Sequence, residues 1–189
     1  MPKIIQNIED RIFLAAKELF YEKGYEHVNM KEIAKRSDMA VGTLYNYFSN
    51  KNELYFSVLE KSWNGTCEKL ALLQGRDIAA TEKLRASITL IYEEIVDRRC
   101  MGIQVRKIKD LKGDASITRL EENILTSIKT IFAQSKIKEQ FRDDTDILEK
   151  IVYSLLINLT MLVDYYPDDK SKNIEYLYSG VVGFLVMPA

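Results

Sequence analysis

A chain of 189 residues with 47% hydrophobic and 29% charged side chains is long enough to bury a sizeable core and too apolar to read as disordered. Eight glycines and three prolines favour long helices over turn-rich sheet, and one histidine with two cysteines argues against a Cys/His metal site. The formal net charge is −1, and residues 1–51 carry eight basic against seven acidic groups, so nucleic acid would have to be held by a few placed side chains rather than a basic field.

In chain order, Met1 to Arg11 contains Lys3 but no apolar run, so it does not read as a signal peptide. Ile12, Ala15, Ala16, Leu19 and Phe20 recur at helical spacing and predict a first helix over about 8–23, capped by Asn7 with Asp10 at N3 and left through Gly24. Asn29 is placed to cap a short second helix that buries Met30, Ile33 and Ala34 and ends near Arg36. Ser37, Asp38 and Met39 predict a tight turn, with Asp38 the residue suited to a left-handed backbone. A third short helix over 41–47 buries Leu44 and then Phe48. Three short helices, the last two joined by a three-residue turn, describe a helix-turn-helix.

Asn50 with Glu53 predicts the start of a fourth helix that runs through Leu54, Val58 and Leu59 to about Leu72. Residues 75–80 read as a break, and Thr81 opens a helix carrying Leu84, Ile88, Ile91, Tyr92 and Ile95. A short helix over 98–112, a Gly113-Asp114 turn, and a long helix bearing Ile117, Leu120, Ile124, Ile128, Ile131 and Phe132 follow. After a polar turn at 141–145 comes a strongly apolar helix over 146–166, stopped by Pro167, and a last helix over 171–187. About nine helices place the chain in the all-α class. The apolar stretch at 151–163 is interrupted by Ser154, Asn158 and Thr160, and it is shorter than the roughly 20 residues a bilayer requires. Cys67 and Cys100, isolated thiols, fit a reducing cytoplasm and make a poor redox pair.

Ile33-Ala34, then Leu44-Tyr45-Asn46-Tyr47-Phe48, then Lys51 and Leu54, flanked by Ala15-Ala16, Leu19-Phe20, Gly24-Tyr25 and Gly42-Thr43, resemble the N-terminal region of the TetR family of transcriptional regulators. At residue level the resemblance covers about 9–60; in helical architecture it spans the chain. It implies an N-terminal three-helix DNA-binding domain over 6–66 and a larger helical ligand-sensing and dimerisation domain over 67–189. It further implies a homodimer formed by the last two helices, a palindromic operator of double-stranded DNA, and repression relieved by a small molecule.

Carried over residue by residue, the family's DNA contacts fall on Asn29, Ala40, Val41, Gly42, Thr43, Tyr45, Tyr47 and Lys51. The residue types suit the task. Gly42 lets the backbone approach base edges, Thr43 offers a hydroxyl and a methyl, and the two tyrosines offer hydroxyls for phosphates. Lys51 begins a helix whose N-terminus also favours an anion. The bland alternatives are core aromatics at 45 and 47, a surface Thr43 and a solvated Lys51. Relatives often carry Ser and a basic residue where this chain has Ala40 and Val41, so a hydroxyl cap and a guanine reader are lost and an A·T-richer operator is expected.

Trp63, Tyr92, Met101, Phe132 and Asn158 are the candidate lining of an effector pocket, with core packing the alternative for each. Asn158 can equally be satisfied within its own helix or across a subunit interface. The many Ile, Leu, Tyr and Met residues point to an apolar or aromatic effector, and nothing calls for a cofactor. Two other readings stay open: the same fold controlled by a protein partner, and, more remotely, an all-α enzyme. The second lacks a nucleophile-His-acid set and any Glu-x-x-His pattern.

Overall fold

The structure, a computed structural model, describes residues 8–98, 115–132 and 135–186. Among them run eight α-helices: α1 (Ile8–Lys23), α2 (Met30–Arg36), α3 (Val41–Tyr47), α4 (Lys51–Gln74), α5 (Ala80–Asp97), α6 (Ala115–Lys129), α7 (Ile147–Tyr165) and α8 (Lys170–Val182). Short 3-10 turns lie at Thr130–Phe132 and Glu139–Phe141. The Asn7 cap, residues 99–112 of the helix expected over 98–112, the 113–114 turn, Cys100 and Met101 fall outside the described residues, while Arg98, expected to begin that helix, is the C-cap of α5.

Local chemistry sets the boundaries. Helix α1 carries Glu9 and Asp10 in its first turn, where they meet the positive end of the helix dipole, and it buries Ile12, Ala15, Ala16, Leu19 and Phe20. Gly24 then takes φ 76°, a left-handed value that costs glycine little. Asn29 caps α2 by accepting from the Glu32 amide at 3.0 Å, and Glu32 reaches back to the Asn29 amide, completing a capping box. Asn50 caps α4 in the same way through the Glu53 amide at 2.9 Å. The Glu53 carboxylate, however, accepts from the Ser49 amide at 2.7 Å and the Ser49 hydroxyl at 2.6 Å, one residue further back than a capping box requires. Those two bonds from Ser49 hold the Glu53 carboxyl below its ordinary range.

Two hydrophobic cores are threaded on α4, which at 24 residues is about 36 Å long. The first packs α1, α2, α3 and the start of α4 around Phe20, Ile33, Leu44, Leu54 and Tyr55. The second begins at Trp63 and gathers α5, α6, α7 and α8 around Ile88, Ile91, Tyr92, Ile128, Phe132, Val152 and Leu159.

The chain departs from its sequence reading at two places. The last helix stops at Val182 rather than near 187, because Leu185–Val186 (β2) turns away and pairs antiparallel with Lys136–Ile137 (β1). Gly180 and Gly183 weaken helical continuation, Leu185 buries itself in the second core, and the Phe184 ring packs against Phe141 at 5.0 Å. An apolar run this short fits a helix or a strand equally by pattern. Phe48 is the second departure. It is not a buried helical anchor but the extended, half-buried C-cap of α3, its amide donating to the Leu44 carbonyl at 3.0 Å.

Candidate nucleic-acid interface

The turn between α2 and α3 is fixed by hydrogen bonds at every step. Ser37 caps α2 and its hydroxyl donates to the Ile33 carbonyl at 2.8 Å. Asp38 takes φ 54°, its amide donates to the Lys35 carbonyl at 3.2 Å, and the Met39 amide donates to the Ala34 carbonyl at 2.9 Å. This is a Schellman ending with aspartate in the usual glycine position. From α1, Arg11 Nη2 donates to the Ser37 carbonyl at 2.6 Å and the Asp38 carbonyl at 3.1 Å, neutralising the carbonyl-rich end of α2. Surface pairs of Arg36 with Glu18 and Glu22, and of Lys23 with Glu32, tie α2 to α1.

Helix α3 buries one side chain in this frame, Leu44, with Val41 and Phe48 packed partly against the same core. Leu44 is fully buried, while Tyr45 and Tyr47 are 49% and 38% exposed, so neither tyrosine is a core aromatic. Ala40 is the N-cap and supplies no side-chain bond. Val41 is half-buried and packs on the first core. Gly42 is exposed, and a Cβ placed there would meet nothing within 4 Å, so its backbone is open to approach. Thr43 is half-buried. Asn46, one turn after Gly42, is also exposed and shares its face with Gly42 and Tyr45. Its spacing from Gly42, four residues earlier, is the signal in the sequence for this shared face.

Asn29 caps the helix before α3 and Lys51 begins the helix after it. The Asn29 side-chain oxygen is engaged by the α2 cap. Lys51 Nζ donates to the Tyr25 carbonyl at 2.9 Å and lies 4.0 Å from the Tyr25 ring centre, so this ammonium already has a structural task. The outer surface assembled here offers hydroxyls, an amide and open backbone over a rigid base. Such a surface suits groove reading more than charge-driven attraction.

Among the described candidate pocket residues, three pack into the second core and one lies on the surface of α7. Trp63, Tyr92 and Phe132 are buried in the second core, and the Tyr92 hydroxyl accepts from Asn173 Nδ2 at 2.9 Å. Asn158 sits partly exposed on α7, its amide donating to the Ser154 carbonyl at 2.8 Å and hydroxyl at 3.2 Å, so it is satisfied within its own helix. Aromatic residues at helical spacing here serve packing, which buries more area than a cavity wall would. A cleft of about 310 Å³ lies elsewhere, between the start of α4 and α6, where Phe56 and Glu60 face Arg119 and Leu120.

Comparison with known proteins agrees with this geometry. The profile of bacterial regulatory proteins of the tetR family matches residues 12–58, the span of the first core. The HTH-type transcriptional regulator SAR2658 of Staphylococcus aureus (strain MRSA252) is 36% identical over 177 residues, covering 93% of this chain and 90% of that protein. The chain belongs to the TetR family. Other curated transcriptional regulators match over shorter stretches, and the chain spans between 31% and 49% of the length of the first three. In fold, this TetR-family chain superposes on the fatty acid degradation regulator FadR of Bacillus halodurans with a TM-score of 0.74 at 19% identity, covering 98% and 100% of the two chains. Thermus thermophilus FadR, a repressor solved with lauroyl-CoA, gives 0.64 at 24% identity over 96% and 97%. No helix among the described residues is long and apolar enough to cross a membrane.

Proposed function

We propose that the protein is a ligand-responsive transcriptional repressor that binds a palindromic operator as a homodimer. Residues 6–66 form the DNA-binding domain and 67–189 the ligand-sensing and dimerisation domain. The observation that carries this reading is α3 itself, held by the single buried Leu44 and presenting Gly42, Tyr45 and Tyr47 outward. Asn29, Ala40, Val41, Gly42, Thr43, Tyr45, Tyr47 and Lys51 make up the contact set, and Asn46 joins it as a side chain able to pair with adenine. Two such helices enter successive major grooves about 34–36 Å apart.

The dimer is supported by an outward apolar stripe on α7, where Ile157, Met161 and Tyr165 are exposed at i, i+4 and i+8, beside Tyr176 on α8. An apolar effector is supported by the hydrophobic make-up of α5 to α8. The lauroyl-CoA held by the Thermus relative makes long acyl thioesters the first class to test. Effector binding shifts a two-state equilibrium through α4 toward a dimer with mis-spaced recognition helices, and bound operator weakens the effector by the same factor.

A second reading, control by a protein partner, draws support from the packed state of Trp63, Tyr92 and Phe132. Selection from a random duplex pool tests the whole proposal. Recovery of palindromic, A·T-rich duplexes, released by acyl-CoA, is the expected result. Release by no small molecule favours the partner reading, and failure to enrich any duplex overturns both.

A further inference from the structure

Between its two cores α4 has one turn whose inner face is polar. The first core ends at Leu59 and the second begins at Trp63, and Ser62 stands between them. Onto that turn comes Arg98, the C-cap of α5, its side chain almost wholly buried. Nε donates to the Ser62 hydroxyl at 2.6 Å. Nη2 donates to the Ser62 carbonyl at 2.8 Å, to Glu94 Oε2 at 2.8 Å and to the Thr66 hydroxyl, and Nη1 donates to the Glu94 carbonyl at 3.0 Å. Thr66 in turn donates to Glu94 at 3.0 Å, Lys69 closes on the same carboxylate, and the guanidinium lies 5.3 Å from the Trp63 ring centre. On its other side the Ser62 hydroxyl shares a hydrogen bond of 3.4 Å with the Tyr21 hydroxyl of α1.

We propose that Arg98 is the positioning residue that sets the angle of the DNA-binding helices on the regulatory helices, acting through Ser62 to Tyr21. The inference rests on the operator-binding dimer proposed above. A buried guanidinium is tolerated only while its donors are matched, because stripping it of partners leaves an uncompensated charge. Its planar fork also fixes direction as well as distance, which an ammonium does not. The knot is therefore either seated or broken, with little between, and that is the property a coupling element needs. Ser62 passes this constraint to both sides, its carbonyl held by the regulatory domain and its hydroxyl shared with α1. Ordinary packing of α4 would not require a charged side chain at the seam; fixing an orientation does.

The test compares binding to a full palindromic duplex, selected by the wild-type protein from a random pool, with binding to one isolated half-site. Wrong orientation harms only the bridging of two half-sites, whereas simple loss of folded protein harms both equally. For Arg98→Lys the full-site affinity should fall roughly 5- to 50-fold while half-site affinity moves less than about 2-fold. Tyr21→Phe, which removes one hydroxyl and keeps the ring, should give a smaller loss of the same pattern. The double variant should lose less than the product of the two, since both act along one chain of contacts. Trp63, the only tryptophan, provides a second readout: its emission should shift when the full duplex binds the wild type and stay fixed in Arg98→Lys. Equal losses on both duplexes, no loss on either, or multiplicative effects overturn the assignment of Arg98. A wild type that holds half-site and full site equally instead overturns the dimeric reading beneath it, and this inference with it.

Discussion

The ammonium of Lys51 lies 2.9 Å from the carbonyl oxygen of Tyr25 and 4.0 Å from the centre of its ring. The first residue of α4 is thereby fastened to the loop that leaves α1, and the Tyr25 ring packs edge-on against Tyr55 at 4.9 Å. Lys51 thus holds the frame that follows α3, at a position also proposed for a phosphate contact. Replacing Lys51 with Met should cost about 1–2 kcal/mol of stability through the lost carbonyl bond and cation–ring contact. If the same ammonium serves a phosphate, affinity should also fall on every sequence, and the slope of log affinity against log salt should flatten by about 1. Titrations at several salt concentrations separate the two roles; a lower melting temperature with an unchanged slope leaves Lys51 as a clasp only.

Asp38 occupies a left-handed position that glycine fills without strain, and its carboxylate meets Arg11 only at 3.5 Å and in solvent. Asp38→Val should destabilise the DNA-binding unit by about 1–2 kcal/mol, since a branched side chain resists this backbone. Asp38→Gly should be close to neutral, because relief of strain offsets the entropy glycine gains when unfolded. Thermal melts of the two variants check the order. A valine variant as stable as the glycine one would show that the turn relaxes out of the Schellman geometry.

Met161 stands half-exposed in the middle of the α7 stripe and makes no part of either core. Met161→Glu should therefore leave the fold of one chain intact and convert a dimer to monomers, because a carboxylate sealed into an apolar interface has no partner. Sedimentation velocity reads the outcome directly. An unchanged dimer carrying glutamate at this position would place the interface on another face.

Glu94 gives a pH prediction. Burial pushes its carboxyl up, but the bonds from Lys69 and Thr66 and the Arg98 charge outweigh burial and hold it below the ordinary carboxylate range. A group lowered on folding stabilises fully above its unfolded pKa, near about 4.3, and loses that contribution as the pH falls through the folded value. Melting temperature should therefore drop from roughly pH 5 downward, and Glu94→Gln should show a lower starting value with a shallower drop. A glutamine variant with the wild-type acid slope would assign the loss to other carboxylates, such as Asp144, which Lys150 holds down.

Much of this was legible along the chain, and unevenly. Asn29, Gly24 and Asp38 announced their roles because caps and turns are chosen by bonds within four or five residues. Leu44 was legible for the same kind of reason, but Phe48, expected to be buried beside it, ends as the half-buried cap of α3. The candidate pocket was not. Trp63, Tyr92 and Phe132 have the same aromatic character whether they wall a cavity or fill it, and only their neighbours from α5, α6 and α7 tell the two apart. Asn158 left two readings open along the chain, and the bond to Ser154 one turn earlier meets the one in which its own helix satisfies the amide.

Local order along the chain determined the helices, the helix-turn-helix and the family, because periodicity and capping are short-range physics repeated in a fixed pattern. Tertiary structure alone decided three things: that β2 leaves the last helix to pair with β1, that Lys51 is bound to Tyr25, and that Arg98 closes on Ser62, 36 positions away. Each depends on which distant groups folding brings within hydrogen-bond reach, and no pattern of spacing encodes that distance.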